Sequence, residues 1–157
     1  MLLKDKVALI TGAGNGIGQA TAVRFACEGA KLVLTDVDAE GLKATCQQVT
    51  EAGAKDAVTV AGSVTVAADV QRMVDAALQA FSRLDILINN AGITRDGLTT
   101  RVKDGEVSFM SEEQWDAVLT VNLKGTWLCS QMAAVPMIKQ GAGRIVNTAS
   151  VAAEGNI

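Results

Sequence analysis

The stretch Thr11-Gly12-Ala13-Gly14-Asn15-Gly16-Ile17-Gly18 follows an apolar run, Val7-Ala8-Leu9-Ile10, and opens a segment of helical periodicity from Ile17 to Cys27. Strand, glycine turn and helix in that order form the unit that takes a dinucleotide pyrophosphate. Glycines let the backbone turn tightly and approach the phosphates, while the free N–H groups and dipole of the helix start face the anion. The spacing is T-G-x-x-x-G-x-G rather than G-x-G-x-x-G, with Gly12, Gly16 and Gly18 at the fixed positions. Taken alone, such a loop also reads as a mere tight turn. Further signals, in the right order behind it, strengthen the dinucleotide reading.

Downstream, strand and helix patterns alternate. Lys6 to Thr11 reads as a strand, Gly16 to Glu28 as a helix closed by Gly29, and Lys31 to Thr35 as a second strand. Asp38 is placed to cap a helix over Ala39 to Ala52, ended by Gly53. Ala57 to Ala61 is a short strand, and Val66 to Phe81 a helix with Val70, Met73, Val74, Ala77, Leu78 and Phe81 on one face. Leu84 to Asn89 is the fourth strand. A long polar segment then runs from Ile93 to Met110, in which Asp104-Gly105 fits a hairpin turn. Ser111-Glu112-Glu113-Gln114 has the form of a capping box and starts a helix to about Lys139, which Pro136 should kink or end. Arg144 to Thr148 is the fifth strand of the series. This alternation predicts an α/β fold: a doubly wound parallel sheet in three layers, as one domain over residues 1–157.

Composition narrows the classes. Apolar residues make up 49% of 157, as expected where parallel strands are covered on both faces. A net charge of −3 without a basic block points away from nucleic acid, and no apolar run reaches membrane-spanning length. Lys4, Asp5 and Lys6 interrupt the apolar N-terminus, which does not read as a signal peptide. Cys27, Cys46 and Cys129 are widely spaced and form no metal pattern, so they read as reduced thiols of a cytoplasmic protein with no metal site. Neither tyrosine nor histidine occurs, which excludes a histidine base within these residues.

The candidate chemistry lies at the predicted strand ends. Asp36 ends the second strand, where an acid can accept hydrogen bonds from the adenosine ribose and repel a 2′-phosphate. It therefore favours NAD over NADP, although an aspartate there also suits the start of a turn. Gly62-Ser63-Val64 ends the third strand and Asn89-Asn90-Ala91-Gly92 the fourth, on the same carboxyl edge. Small residues there let a cofactor lie flat, while Asn-Asn-Ala-Gly equally fits an ordinary turn. Asn122 stands mid-helix, a poor place for asparagine unless its side chain has a task. Ser150 follows the fifth strand, as many loop serines do.

As an ordered set, T-G-A-G-N-G-I-G, Asp36, N-N-A-G at 89–92, Asn122 and the Ser150 region resemble the short-chain dehydrogenase/reductase family over essentially the whole chain. Ile93-Thr94-Arg95-Asp96, Val121-Asn122-Leu123-Lys124-Gly125 and Gly143-Arg144-Ile145-Val146-Asn147 look most like its 3-oxoacyl-[acyl-carrier-protein] reductases. The resemblance implies a Rossmann-type fold and a cofactor site of Thr11, Gly12, Gly14, Asn15, Gly16, Ile17, Gly18, Asp36, Val37, Gly62, Ser63, Val64, Asn89, Ala91 and Gly92. It implies two catalytic residues: Asn122 to hold a relay water, and Ser150 to hydrogen-bond the substrate carbonyl or hydroxyl. Two departures stand out. Ser63-Val64 replaces the family's frequent Asp-Val, the source of its usual adenine contact, and Asp36 departs from the NADP preference usual for the acyl-carrier reductases.

The family's remaining catalytic pair comes in a Y-x-x-x-K motif about twelve residues past Ser150. The 157 residues do not reach it, which leads to the expectation of a fragment, incomplete at the C-terminal side of the sheet. The parent is then expected to reduce a small-molecule or acyl-carrier-bound ketone of the 3-oxoacyl type with NAD(H), as a homo-oligomer. The alternative is a non-catalytic nucleotide-binding fragment.

Overall fold

Each strand of the main sheet is short and rich in β-branched or leucine side chains. Val7–Thr11 forms β1, Lys31–Asp36 β2, Ala57–Ala61 β3 and Ile86–Asn89 β4. The computed structural model describes residues 1–54, 56–95 and 97–151. Asp96 of the Ile93–Asp96 match, and residues 152–157, lie outside the described residues.

Helices α1 (Gly16–Cys27), α2 (Ala39–Glu51) and α3 (Ala67–Phe81) connect these strands. Gly29, at φ +83°, leaves the end of α1 in the left-handed region that glycine enters at little cost. The Asp38 side chain caps α2 by accepting from the Glu40 and Gly41 N–H groups, as its position predicts.

The polar segment after β4 is not a loop throughout. Thr100–Lys103 (β5) and Glu106–Phe109 (β6) pair as an antiparallel hairpin. Its turn is Asp104-Gly105, with φ of +54° and +84°, the signs that a type I′ turn requires. The hairpin reading of that dipeptide thus holds.

Ser111 caps the next helix, and the capping box with Gln114 forms in both directions. The expected single helix is, however, three consecutive segments: α4 (Glu112–Val118), a π-helical stretch (Leu119–Gly125) and α5 (Thr126–Gln140). Pro136 does not end α5, which runs to Gln140 and stops at Gly141, φ +73°. The proline sits buried in the last turns, where packing offsets one lost backbone donor. Arg144–Asn147 forms β7.

The main sheet is wholly parallel, in the order β3-β2-β1-β4-β7. Alternate residues of β1 serve opposite faces. Val7 and Leu9 pack with Val33 and Leu87 against Val70, Met73 and Ala77 of α3 and Leu128 and Ala133 of α5. Ala8 and Ile10 pack with Leu32, Leu34 and Ile88 against Ala22 and Ala26 of α1 and Leu42 and Val49 of α2. This is the expected three-layer, doubly wound α/β architecture. Among the described residues, no helix is long and apolar enough to cross a membrane.

Candidate dinucleotide site

Because all five strands of the main sheet run the same way, the residues that follow them emerge along one edge. In sheet order these are Gly62-Ser63-Val64 after β3, Asp36-Val37 at β2, the glycine loop after β1, Asn90 to Ile93 after β4, and Thr148 to Ser150 after β7. The strand order reverses between β1 and β4, the place where ligands bind in open α/β sheets. A groove of about 370 Å³ lies there, lined by Gly12, Asn15, Ile17, Thr35, Asp36, Val37, Gly62, Ser63, Val64, Asn90, Ala91, Gly92, Ile93 and Val121.

Its floor is tied together at Thr11. The buried Thr11 hydroxyl accepts from the Asn90 and Ala91 N–H groups at 3.0 Å each and donates to the Ile88 carbonyl at 3.3 Å. The Asn90 amide donates to the Thr11 and Gly12 carbonyls, both at 3.1 Å. The glycine loop can therefore lie close only because it lacks side chains. A Cβ at Gly12 would stand 2.8 Å from the Ala91 Cα, and one at Gly18 would overlap the Gly12 carbonyl. The Asn15 side chain leaves the start of α1 uncapped. Its first-turn N–H groups and dipole are thus suited to an anion such as a pyrophosphate.

Asp36 is held from two sides. Its Oδ2 accepts from the Gly14 N–H at 2.9 Å and its Oδ1 from the Asp38 N–H at 3.0 Å. A Cβ at Gly14 would reach within 3.0 Å of that carboxylate. Buried Thr45 of α2 fixes the same loop from behind, donating to the Ala13 carbonyl at 2.9 Å. Each carboxylate oxygen keeps a lone pair for a further donor. Ile17 and Val37 border the groove as apolar side chains left largely exposed.

The other expected residues divide. Asn89 is buried and points away from the groove, donating to Ser130 Oγ at 3.0 Å and to Asn147 Oδ1 at 2.9 Å. It ties β4 to α5 and β7. Asn90, part of the N-N-A-G stretch but not of the expected cofactor set, lines the groove in its stead. Ile93 and Val121 also line it; both stand in stretches that carry the acyl-carrier-reductase resemblance, although neither is among the expected cofactor residues. Asn122 lies in the π-helical stretch, and its side chain is committed to a reciprocal pair with Ile93: Oδ1 accepts the Ile93 N–H at 2.9 Å and Nδ2 donates to its carbonyl at 3.0 Å. Ser150 is exposed, three residues past the end of β7.

Comparison with known proteins agrees with this geometry. The family model described as short chain dehydrogenase matches residues 6–157. The chain belongs to the short-chain dehydrogenase family. It is 43% identical over 150 residues to the (2S)-[(R)-hydroxy(phenyl)methyl]succinyl-CoA dehydrogenase subunit BbsD of Thauera aromatica, covering 96% of this chain and 57% of that protein. It is also 43% identical over 151 residues to the 3-oxoacyl-[acyl-carrier-protein] reductase FabG of Thermotoga maritima, covering 96% and 58%. The crystal structure of NAD+-bound xylitol dehydrogenase superposes with a TM-score of 0.87 at 36% identity, over 100% of this chain and 57% of that one. This short-chain dehydrogenase sequence thus spans somewhat over half the length of these relatives. It shares a family that binds NAD(P), and its relatives include ketone reductases by name.

Proposed function

We propose that the protein is an NAD(H)-dependent oxidoreductase that reduces a 3-oxoacyl or similar ketone to the hydroxyl. The observation that carries the cofactor half is Asp36, a carboxylate fixed at the end of β2 by the Gly14 and Asp38 N–H groups. Two ribose hydroxyls can donate to it, whereas a 2′-phosphate there would meet a like charge. NAD(H), when bound, supplies the hydride. The glycine loop and the uncapped start of α1 hold the pyrophosphate. Asn122 braces Ile93 against the groove, which favours a positioning role for its side chain. Ser150 would orient the substrate carbonyl.

The ketone half rests on family resemblance and on the names of the relatives. The acid–base tyrosine and its lysine belong to the family's Y-x-x-x-K motif, and no tyrosine occurs among these 157 residues. That absence favours a second reading, in which the 157 residues by themselves bind the dinucleotide without turnover. The protein is further proposed to be a cytoplasmic homo-oligomer. The exposed Trp115, Leu119, Leu123 and Trp127 along α4 and the following turns support a subunit contact.

Titration with NADH and NADPH tests the cofactor half. NADH is expected to bind about tenfold or more tightly, and equal affinities would refute it. NADH oxidation with a 3-oxoacyl thioester, alongside the intact mass, separates the two readings. Ordinary turnover by a 16.3 kDa polypeptide would overturn the second.

A further inference from the structure

The base end of the groove carries an unusual hydrogen-bonding device. With the pyrophosphate over the β1 loop and the ribose at Asp36, the strand order puts the adenosine base over β3, beside Ser63. The carboxylate bonded to Ser63 is Asp69, and it is already engaged. Its Oδ2 accepts the Ser63 N–H at 2.8 Å and its Oδ1 the Arg72 guanidinium at 2.7 Å. Hydrogen bonds from Arg72 and from the Ser63 N–H hold the Asp69 carboxyl below the usual carboxylate range. It is thus a paired anion rather than an acceptor looking for a base.

That leaves the Ser63 hydroxyl. Its Oγ accepts from the Thr65 N–H at 3.2 Å and shares one proton with Thr65 Oγ1 across 2.8 Å, a contact either oxygen can donate. A hydroxyl has one proton and two acceptor lone pairs. If Thr65 donates, Ser63 Oγ is doubly accepted and its own O–H is free to donate to a ligand. If Ser63 donates to Thr65, one Ser63 lone pair is free to accept from a ligand. The two arrangements keep the same number of internal hydrogen bonds. The first suits a purine 6-oxo group and the second a 6-amino group. A carboxylate at position 63 could only accept, so facing the 6-substituent it would favour the amino base over the oxo base.

We propose that the Ser63–Thr65 hydroxyl pair makes the base slot indifferent to the purine 6-substituent, so that the protein takes hypoxanthine as well as adenine dinucleotides. This rests on the dinucleotide reading above. The test is direct titration of the purified protein with NADH and with reduced nicotinamide hypoxanthine dinucleotide, which differ at that substituent and in the proton that the 6-oxo base carries at N1. Affinities within about threefold are expected. NADH binding with the hypoxanthine analogue weaker by about tenfold or more would overturn this proposal while leaving the dinucleotide reading intact. Failure of both to bind, with the protein folded by circular dichroism, would overturn both. Ser63→Asp is expected to impose a preference for NADH of about tenfold, and Ser63→Ala to weaken both ligands by a similar factor. A Ser63→Asp variant that binds NADH and shows the parent's affinity ratio would also overturn it.

Discussion

The two sides of the groove are built differently. On the β1–β2 side every residue of β1 is buried, as is the centre of β2, and the glycine loop packs backbone against backbone with almost no tolerance for a side chain. On the β4–β7 side, β7 is a sheet edge exposed along its length, and the β5–β6 hairpin is exposed throughout. There, shape depends on individual side-chain clamps: Asn122 on Ile93, and Asn89 on Ser130 and Asn147. The first side is specified by what the backbone excludes, the second by a few amides that can be removed one at a time.

Substitutions on the two sides should therefore fail in different ways. The largest effect is expected from Gly18→Ala, whose Cβ would collide with the Gly12 carbonyl. It should cost about 3 kcal/mol or more and abolish NADH binding, as read by urea unfolding and titration. Wild-type affinity in this variant would mean that the loop is far more plastic than its packing implies. Asp85→Asn comes next. Burial tends to raise the Asp85 carboxyl, but the Arg83 guanidinium and the Val7 N–H bonded to it at 2.9 Å bring it below its ordinary value. A depressed folded-state pKa gives stability that is present above the unfolded value near 4 and lost as pH falls below it. The substitution is expected to cost about 2–3 kcal/mol at pH 7 and to flatten the acid limb of stability against pH.

On the open side, Asn122→Ala should cost about 1–2 kcal/mol and loosen Ile93, visible as faster amide exchange there. Unchanged exchange would show that the clamp is redundant. The smallest effect is assigned to Gly105→Ala. Nothing lies within 4 Å of the added methyl, so the penalty is the left-handed backbone alone, about 1 kcal/mol within the hairpin. NADH affinity should not move, and a change would tie the hairpin to the groove.

Much of the first side was legible in the sequence. The order of glycines, the acid after the second strand and the alternating patterns led directly to β1–α1–β2 and to the sheet, because these follow from local sterics and periodicity. What was hidden depends on contacts across the chain. Asn89 and Asn90 are adjacent and chemically identical, yet the strand pleat turns one toward Asn147 and the other toward Gly12. The π-helical stretch has no composition of its own and shows only in the hydrogen-bond pattern around Asn122. Pro136 misled because local propensity was overridden by burial of α5 on the sheet.

The Thr11 hub also bears on how the chain folds. It joins residues 79 and 80 positions apart, so the groove floor cannot close until α1, β2, α2, β3, α3 and β4 have all been laid down. Closing so long a loop is slow, since the chain gives up its entropy before the contact rewards it. During synthesis the glycine loop would leave the ribosome long before its partner strand. Competence to hold a dinucleotide would then arise late and all at once, making ligand affinity a reporter of docked β4 rather than of the motif that announces it.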